Sequence, residues 1–208
     1  MPSTRWSQRS WRPPMRDALA LRPSDCQLMV VDVQKKLAPA MPADRRERVF
    51  RAIELLGVAA RLMGVPVTVT EHVPDRIGAT DPAILAHLNQ PTIFGKTHFG
   101  AANEPEIAAH GLALAKAEGR ARVLVCGMEA HVCVLQTALG LKALGLEVAF
   151  VADAACSRHA LDEATARERC RHHGIEVVTA EMVAFEWLHR ADHPARREVI
   201  AAVKATSS

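Results

Sequence analysis

The stretch RVLVCGMEAHVCVLQTALGLKALGL, residues 122–146, contains one complete strand–turn–helix unit. Residues 123–126 are a continuous apolar run that reaches Gly127, and residues 128–131 are a short polar turn. An almost wholly apolar segment of helical length follows, with Cys133 in its first turn. Ligands bind at strand ends of open α/β sheets, and a helix N-terminus lowers the pKa of a thiol from its free value of roughly 8.5. Cys133 is therefore the first candidate for a catalytic residue.

The same alternation of strand and helix extends outward from this stretch in both directions. Short apolar runs predict strands at 26–31, 65–70, 92–96, 123–126, 147–152 and 175–179. Helical spacing predicts helices at 44–63, 81–88, 104–118, 132–144, 161–173, 181–189 and 195–204, and residues 73–80 read as a loop. The strands lie too far apart for hairpins, which favours right-handed crossovers between parallel strands. We predict a three-layer α/β/α domain with helices on both faces of a parallel sheet.

Length and composition limit the classes of protein to which the chain can belong. With 208 residues and an apolar fraction of 49%, it is most simply one globular domain at residues 23–208. The net charge of +3 is concentrated in residues 1–22, which hold five arginines and one aspartate. The body is close to neutral and does not predict a nucleic-acid surface. No apolar run approaches the roughly 18 residues of a membrane span.

The first 22 residues form an Arg-rich, Pro-broken tail that lacks the apolar centre of a secretory signal. We expect a flexible or loosely docked extension, with a targeting or partner-binding role as the alternative. Five cysteines are an odd number, which predicts reduced thiols and a cytoplasmic protein. Cys126 lies inside an apolar strand, where a buried thiol commonly packs as a small hydrophobic group.

Polar side chains collect at the carboxyl ends of the predicted strands. Asp32 follows the first strand, Lys96 ends the third, and Cys133 follows the fourth. In a parallel sheet these ends share one edge, so we expect the three side chains to lie close together. The carboxylate can take the thiol proton, and the ammonium lowers the pKa of the thiol. The set suits nucleophilic catalysis, whereas the alternatives are a helix cap for Asp32 and a surface charge for Lys96.

Three motifs carry a resemblance to a known family. They are VVDVQ at 30–34, GKTHFGA at 95–101 and GMEAHVCVLQTALGLKALG at 127–145. In this order they resemble the motifs of the isochorismatase-like cysteine hydrolase family, and the resemblance spans residues 26–188. The stretches VTEHVP, EAHVCVLQTAL, VADAACSR and EMVAFEWL are most similar to the subgroup called isochorismatase domain-containing proteins.

The resemblance implies a Rossmann-like sheet in the strand order 3-2-1-4-5-6, with a switch point between the first and fourth strands. It assigns the family's catalytic aspartate, lysine and nucleophilic cysteine to Asp32, Lys96 and Cys133. It also implies a cis peptide bond at Met128–Glu129 and an oxyanion hole formed by the N–H groups of Glu129 and Cys133. The implied reaction hydrolyses a small amide through a thioester on Cys133, with Asp32 as the base and no cofactor.

Six further residues are candidates for the substrate pocket: Gln34, Leu37, His98, Phe99, His131 and Arg158. Arg158 fits either a clamp for a substrate carboxylate or a surface ion pair, and the two histidines either line the pocket or form local hydrogen bonds. Nicotinamidases of this family bind zinc through an Asp-x-His-x-His run after the second strand. Residues 71–75 read EHVPD instead, so we predict no metal site.

Two other functions stay open at this stage. An isochorismatase-type enzyme cleaves a vinyl ether and does not require the thiol as a nucleophile, so the intact Cys133 favours the amide reaction. A non-catalytic relative that acts as a binding or scaffold subunit is the other alternative. The resemblance also implies a homo-oligomer, a dimer or a tetramer. The remaining partner is a small-molecule substrate, whose identity does not follow from the sequence.

Overall fold

The architecture is a six-stranded sheet with helices on both faces. The structure, a computed structural model, describes residues 19–206. All strand pairs are parallel, and the order is β3-β2-β1-β4-β5-β6. The strands are β1 Cys26–Val31, β2 Val67–His72, β3 Thr92–Lys96, β4 Arg122–Met128, β5 Glu147–Cys156 and β6 Glu176–Val178. The predicted fold class and strand order are therefore confirmed.

Helices cover the two faces of the sheet. Within the described residues the helices are α1 Ala43–Met63, α2 Pro74–Ile77, α3 Pro82–Leu85, α4 Pro105–Glu118, α5 Leu135–Ala143, α6 Ala160–His172, α7 Ala180–Leu188 and α8 Arg196–Thr206. One apolar core includes Ile53 of α1, Val183 of α7 and Val199 of α8. The core on the opposite face includes Ile107 of α4 and Leu141 of α5. Each face of the sheet is thus buried by its own group of helices, as a parallel sheet requires.

The two central strands determine where a ligand can enter. All six residues of β1 are buried, which explains why this strand reads as an unbroken apolar run. β4 pairs beside it in a register that ends with Val31 opposite Gly127. β1 connects onward to β2 on one side of this pair, and β4 connects to β5 on the other. The chain therefore diverges at the carboxyl ends of β1 and β4, which is the switch point where open sheets bind ligands.

The segment predicted as the loop 73–80 contains a single helical turn, α2. The residues that follow α2 are hydrogen-bonded to the segment after β1: the N–H of Lys35 donates to the carbonyl of Ala79 at 3.1 Å. Gln34 and Thr80 also form an isolated antiparallel bridge. The segment is therefore attached along its length to the chain that leaves β1, and this attachment depends on contacts between distant residues.

Strand β5 is longer than predicted. The sequence predicts a strand at 147–152, whereas the structure extends it to Cys156. The register between β4 and β5 shifts between Val125 and Gly127, and pairing then resumes with Gly127 opposite Ala155 and Met128 opposite Cys156. The extension matters because it brings the residues after β5 alongside the turn that follows β4.

The predicted Arg-rich tail falls largely outside the described residues, which begin at Leu19. The last residues of that segment are described: Leu21 is fully buried, and its N–H donates to the carboxylate of Glu186 at 2.8 Å. Between residues 19 and 206, no helix has both the length and the apolar character needed to cross a membrane.

Candidate active site

Asp32 stands directly after β1 and is fully buried. Its backbone adopts a left-handed conformation with φ of 53°, which aspartate tolerates better than most residues. The Thr70 hydroxyl donates to Oδ1 at 2.8 Å, and Lys96 Nζ lies 2.7 Å from Oδ2. Each carboxylate oxygen therefore has its own partner, and the buried charge is balanced.

Lys96 ends strand β3, and its side chain is also fully buried. Besides the ion pair with Asp32, Nζ donates to the carbonyl of His98 at 3.0 Å and to that of Phe99 at 2.9 Å. An ammonium group has three donors, and these three contacts account for them. The loop after β3 thus provides a carbonyl cradle, defined here as the carbonyls of His98 and Phe99, that holds Lys96 against Asp32.

Cys133 lies in a π-helical turn, Ala130–Val134, that connects β4 to α5. The peptide bond Met128–Glu129, directly before this turn, is cis. The thiol lies within interaction range of the Asp32 carboxylate, because each of the two groups shifts the pKa of the other. The structure therefore brings Asp32, Lys96 and Cys133 together at the carboxyl ends of β1, β3 and β4.

The π-helical turn also changes which backbone N–H groups donate to the carbonyl of Glu129. The carbonyl of Glu129 accepts from the N–H of Val132 at 3.1 Å and from that of Val134 at 3.2 Å. The N–H of Cys133, which lies between these two, does not donate to that carbonyl. In an α-helical turn this N–H would donate to the carbonyl of the residue four positions earlier, Glu129. The wider π-helical turn leaves the Cys133 N–H without that bond.

The acidity of the thiol differs from the sequence expectation. A helix N-terminus and a lysine were expected to lower the pKa of Cys133, but burial raises it to about 12. The nearby Asp32 charge adds to this rise, whereas Lys96 opposes it. Burial also raises the pKa of Asp32 from its ordinary 3.8, again against the effect of Lys96. The expectation was wrong because the depth of burial of the thiol, which is 5% exposed, outweighs the nearby positive charge.

The side chain of Gln34 has a different role from the one assigned to it as a pocket residue. It is fully buried, its Nε2 donates to the carbonyl of His72 at 3.0 Å, and its Oε1 accepts from the N–H of His72 at 2.8 Å. Nε2 also donates to the carbonyl of Gly78. The amide is therefore used to join the chain after β1 to β2. Leu37, the other candidate in this segment, is half-buried.

The candidates in the loop after β3 lie at the surface of the same edge. His98 is exposed, and its Nδ1 lies 3.0 Å from Glu104 Oε1. Phe99 is 51% exposed, and its ring lies 5.0 Å from that of His72. The backbone of these two residues reaches the site through the carbonyl cradle, while their side chains remain at the rim.

The remaining two candidates contact the segment after β5. Both the N–H and the Nε of Arg158 donate to Glu129 Oε2 at 3.1 Å, so the structure places Arg158 in an ion pair beside the cis peptide bond. His131 Nδ1 lies 2.9 Å from the Ser157 hydroxyl, and its Nε2 lies 3.8 Å from Asp162. The segment after β5 thus contacts the start of the turn that carries Cys133.

One residue of this site escaped the sequence analysis, Thr70. It lies in β2 opposite Val31, and this register brings its hydroxyl beside Asp32. The position has no signal in a single sequence, because it depends on how neighbouring strands align. Ser157, which the sequence places among the polar residues after the fifth strand, is fully buried just beyond β5.

Other parts of the described chain do not hold a comparable set of groups. A cavity of about 450 Å³ lies between α1 and α7 and contains no thiol; it is lined by Asp44, Glu47, Arg48, Arg51, Ala52, Leu55, Asp153, Ala180, Glu181 and Thr206. From residue 19 to residue 206, no three histidine, cysteine, aspartate or glutamate side chains are grouped to hold a metal ion. The chemistry therefore centres on the edge of β1 and β4.

Comparisons with known proteins agree with this geometry. The family model described as the isochorismatase domain matches residues 26–182. Isochorismatase domain-containing protein 1 of Danio rerio is 33% identical over 191 residues, which cover 90% of this chain and 64% of that protein. The chain thus spans less than two thirds of that relative's length.

Solved structures give the same relationship. A structure described as the MAR1 ribonuclease from Caenorhabditis elegans is 30% identical, with a TM-score of 0.79 and coverage of 89% of this chain and 92% of that one. The YcaC gene product from Escherichia coli, described as an octameric hydrolase of unknown specificity, shares the fold at 21% identity and a TM-score of 0.75, with coverage of 90% and 89%. The resemblance to the isochorismatase domain-containing proteins is confirmed, and the chain belongs to the isochorismatase family.

Proposed function

We propose that this protein is a cysteine hydrolase that cleaves the C–N bond of a small amide-type substrate. One observation carries the proposal: a buried thiol lies within interaction range of a buried carboxylate that is paired with a lysine at 2.7 Å. A nucleophile, a base in contact with it and a group that orients the base are the parts that covalent catalysis needs. Membership in a family of hydrolases is consistent with this reaction.

In the first step Asp32 takes the proton of Cys133 while the sulfur attacks the amide carbonyl. Because burial raises the pKa values of both groups, the thiol stays protonated until the substrate is in place. A base with a raised pKa accepts the proton more readily near neutral pH than an ordinary aspartate does. Lys96 keeps the carboxylate ionised beforehand and compensates its charge.

The tetrahedral intermediate carries a negative oxygen that needs donors. The N–H groups of Glu129 and Cys133 are the proposed oxyanion hole, and the π-helical turn supports this because it withholds the Cys133 N–H from the Glu129 carbonyl. The intermediate collapses to a thioester on Cys133 as Asp32 returns its proton to the leaving amine. Water then attacks the thioester with Asp32 as the base, which releases the acid and regenerates the thiol.

Arg158 is the proposed contact for an anionic group on the substrate. Its Nε is fixed by Glu129, while the side chain as a whole remains 58% exposed beside the turn that carries Cys133. A guanidinium binds a carboxylate through two parallel hydrogen bonds when two of its N–H groups are accessible. His98 and Phe99 at the rim, together with Leu37, are the proposed walls, whereas the buried amide of Gln34 joins the segment after β1 to β2.

The alternatives differ in what they require of the thiol. A vinyl-ether hydrolase uses the carboxylate but not the sulfur, and a scaffold protein uses neither. The proximity of Cys133 to Asp32 favours the cysteine hydrolase, because neither alternative needs a thiol beside the carboxylate. The relative from Caenorhabditis elegans bears the name ribonuclease, so RNA belongs among the compounds tested, although a thioester mechanism acts on acyl groups and not on phosphodiesters.

The test is a screen for ammonia or amine release from small amides, ureas and carbamates, with RNA cleavage measured in parallel. We expect turnover of at least one amide-type compound and its loss by about 10³-fold or more in Cys133→Ala. Cys170→Ala, which removes a buried thiol of α6 distant from Asp32 in the fold, is the matched control and should retain turnover. Full turnover in Cys133→Ala would refute the covalent mechanism.

Two wider expectations accompany the proposal. All five cysteines are free and buried, which supports a reducing compartment such as the cytoplasm. The octameric state described for the YcaC gene product supports a homo-oligomer of this chain as well. Light scattering of the purified protein measures the second directly.

A further inference from the structure

The side chain of Glu129 takes no part in the reaction steps proposed above, yet it is buried at the start of the turn that carries Cys133. Glu129 follows the cis peptide bond, and its side chain is only 10% exposed. Its Oε2 accepts from both the backbone N–H and the Nε of Arg158, each at 3.1 Å. One carboxylate oxygen thus holds the main chain and the side chain of the same arginine.

The backbone of Glu129 connects this contact to the catalytic turn. Its carbonyl accepts from the N–H groups of Val132 at 3.1 Å and Val134 at 3.2 Å, so its main chain is fixed within the turn. An arginine side chain that is 58% exposed has many rotamers open to it when nothing holds it. The placement of the Arg158 guanidinium relative to Cys133 therefore depends on the carboxylate of Glu129.

The main chain of the segment after β5 is anchored separately. Arg45 of α1 donates through Nη1 to the carbonyl of Ser157 at 3.2 Å and to that of Arg158 at 3.3 Å. The Ser157 hydroxyl also lies 2.9 Å from His131 Nδ1. Because these contacts do not involve Glu129, we expect loss of its carboxylate to release the guanidinium without displacing the segment.

We propose that Glu129 is a positioning residue that orients Arg158 and thereby selects amides that carry a carboxylate. With Nε bound to Glu129, the two terminal amino groups of Arg158 have no hydrogen-bond partner among the described residues. A guanidinium can bind a second carboxylate through two parallel hydrogen bonds. The inference rests on the proposed function, because it names the class of substrate for that reaction and the residue that sets the preference.

Iodoacetate and iodoacetamide are a matched pair of probes for this preference. The sulfur of Cys133 displaces iodide from either reagent and forms the same C–S bond, while the thiol proton goes to solvent. The reagents have nearly the same size, but one carries a carboxylate and the other a neutral amide. The ratio of their rates at Cys133, measured by mass spectrometry, cancels the acidity of the thiol because both reagents attack the same sulfur. The ratio therefore reports the charge presented beside Cys133.

Two variants of Glu129 separate position from charge. Glu129→Leu and Glu129→Gln each remove one negative charge, but only glutamine keeps an acceptor for Arg158. We expect the ratio of the iodoacetate rate to the iodoacetamide rate to fall about fivefold in Glu129→Leu and to stay within about twofold of the wild type in Glu129→Gln. Arg158→Met removes the cation and should lower the ratio about tenfold. Arg61→Met, which breaks the exposed ion pair with Glu198 near the end of α1, is the control and should leave it unchanged.

Equal ratios in Glu129→Leu and Glu129→Gln would overturn the proposal, as would a wild-type ratio in Arg158→Met or a Cys133 that neither reagent labels. If Glu129→Leu does not fold, Arg158→Lys keeps the charge but has no Nε to bind Glu129. It should lower the ratio about threefold, and a wild-type ratio there would equally contradict the role of Glu129. The alkylation needs no turnover, so a failure of the proposed function, seen as full turnover in Cys133→Ala, is distinguished from a failure of this inference.

Discussion

The two ends of strand β1 bury similar groups but use them differently. At the start of the strand, Gln27 Nε2 donates to the carbonyls of Gly111 at 3.1 Å and Arg120 at 2.8 Å, and Arg120 donates to the carbonyl of Cys26 at 3.0 Å. At the carboxyl end, Asp32 is paired with Lys96. Polar groups at the first end satisfy backbone carbonyls, whereas those at the second end hold charges against each other.

Each end also has a buried thiol. Burial raises the pKa of Cys26 to about 11, and the pKa of Cys133 is raised to about 12 in the same way. A buried thiol with a raised pKa therefore does not identify a nucleophile. The difference is the surroundings, because Cys133 adjoins the buried ion pair of Asp32 and Lys96, whose carboxylate can take its proton.

The largest expected effect tests how closely the backbones of β1 and β4 approach each other at their carboxyl ends. Gly127 has φ of 122°, and an added Cβ would overlap the carbonyl of Val31 on the neighbouring strand. We expect Gly127→Ala to lower the free energy of unfolding by about 4 kcal/mol or more, measured by urea denaturation.

The matched control for that substitution is Gly64→Ala. Gly64 also has a positive φ, 65°, but no atom lies within 4 Å of an added Cβ. Its cost should be only the strain of a left-handed alanine, about 1 kcal/mol. Equal losses in the two variants would show that backbone strain alone, and not the approach of β1, limits Gly127.

The second prediction separates charge pairing from catalysis at the carboxyl end. Lys96→Met leaves the Asp32 carboxylate buried without its cation, so we expect a loss of about 3–5 kcal/mol in the free energy of unfolding. Asp32→Asn/Lys96→Met removes both charges and should recover most of that loss, while turnover stays about 10³-fold down. A double variant as unstable as Lys96→Met alone would mean that the unpaired charge is not the cause.

The positions of the three catalytic candidates could be predicted from sequence because each one ends or follows an apolar strand. Parallel strands end at one edge, so Asp32, Lys96 and Cys133 had to meet there once the fold class was known. The strand order itself came from the family resemblance, since periodicity does not distinguish one order of six strands from another.

The features that could not be predicted from sequence depend on the register of neighbouring strands and on the burial of side chains. Gln34 follows a strand as Asp32 does, but only the contact with His72 shows that its amide supports the backbone. The acidity of Cys133 was mispredicted because a sequence gives its charged neighbours but not its burial. Thr70 and His72 lie on β2, and their link to the site requires the register of β1, β2 and β3.

The third prediction concerns the start of β1, where we expect a substitution to change stability and not turnover. Gln27→Leu removes the donor for the carbonyls of Gly111 and Arg120, which should lower the free energy of unfolding by about 1–3 kcal/mol. Turnover per folded molecule should stay within about twofold of the wild type, since the site lies at the opposite end of the strand. A tenfold fall in kcat with an unchanged melting temperature would contradict the division of roles between the two ends.

The smallest expected effect is a shift in pH dependence at the carboxyl end. The Thr70 hydroxyl stabilises the ionised form of Asp32, whose pKa burial already raises above 3.8. Thr70→Val keeps the volume but removes this donor, so the pKa of Asp32 rises further. Because the base must be ionised to accept the thiol proton, kcat/KM falls as the pH drops through this pKa. We expect the acid limb to move upward by about one pH unit, which equals about 1.4 kcal/mol.

The control for this shift lies two residues earlier on the same face of β2. Thr68 is also buried, but its hydroxyl has no hydrogen-bond partner among the described residues. Thr68→Val should therefore leave the acid limb in place and raise the melting temperature slightly, because a buried hydroxyl without a partner is destabilising. An acid limb that moves equally in both variants would attribute the effect to packing in β2, and the hydrogen bond to Asp32 would lose its proposed part in tuning the base.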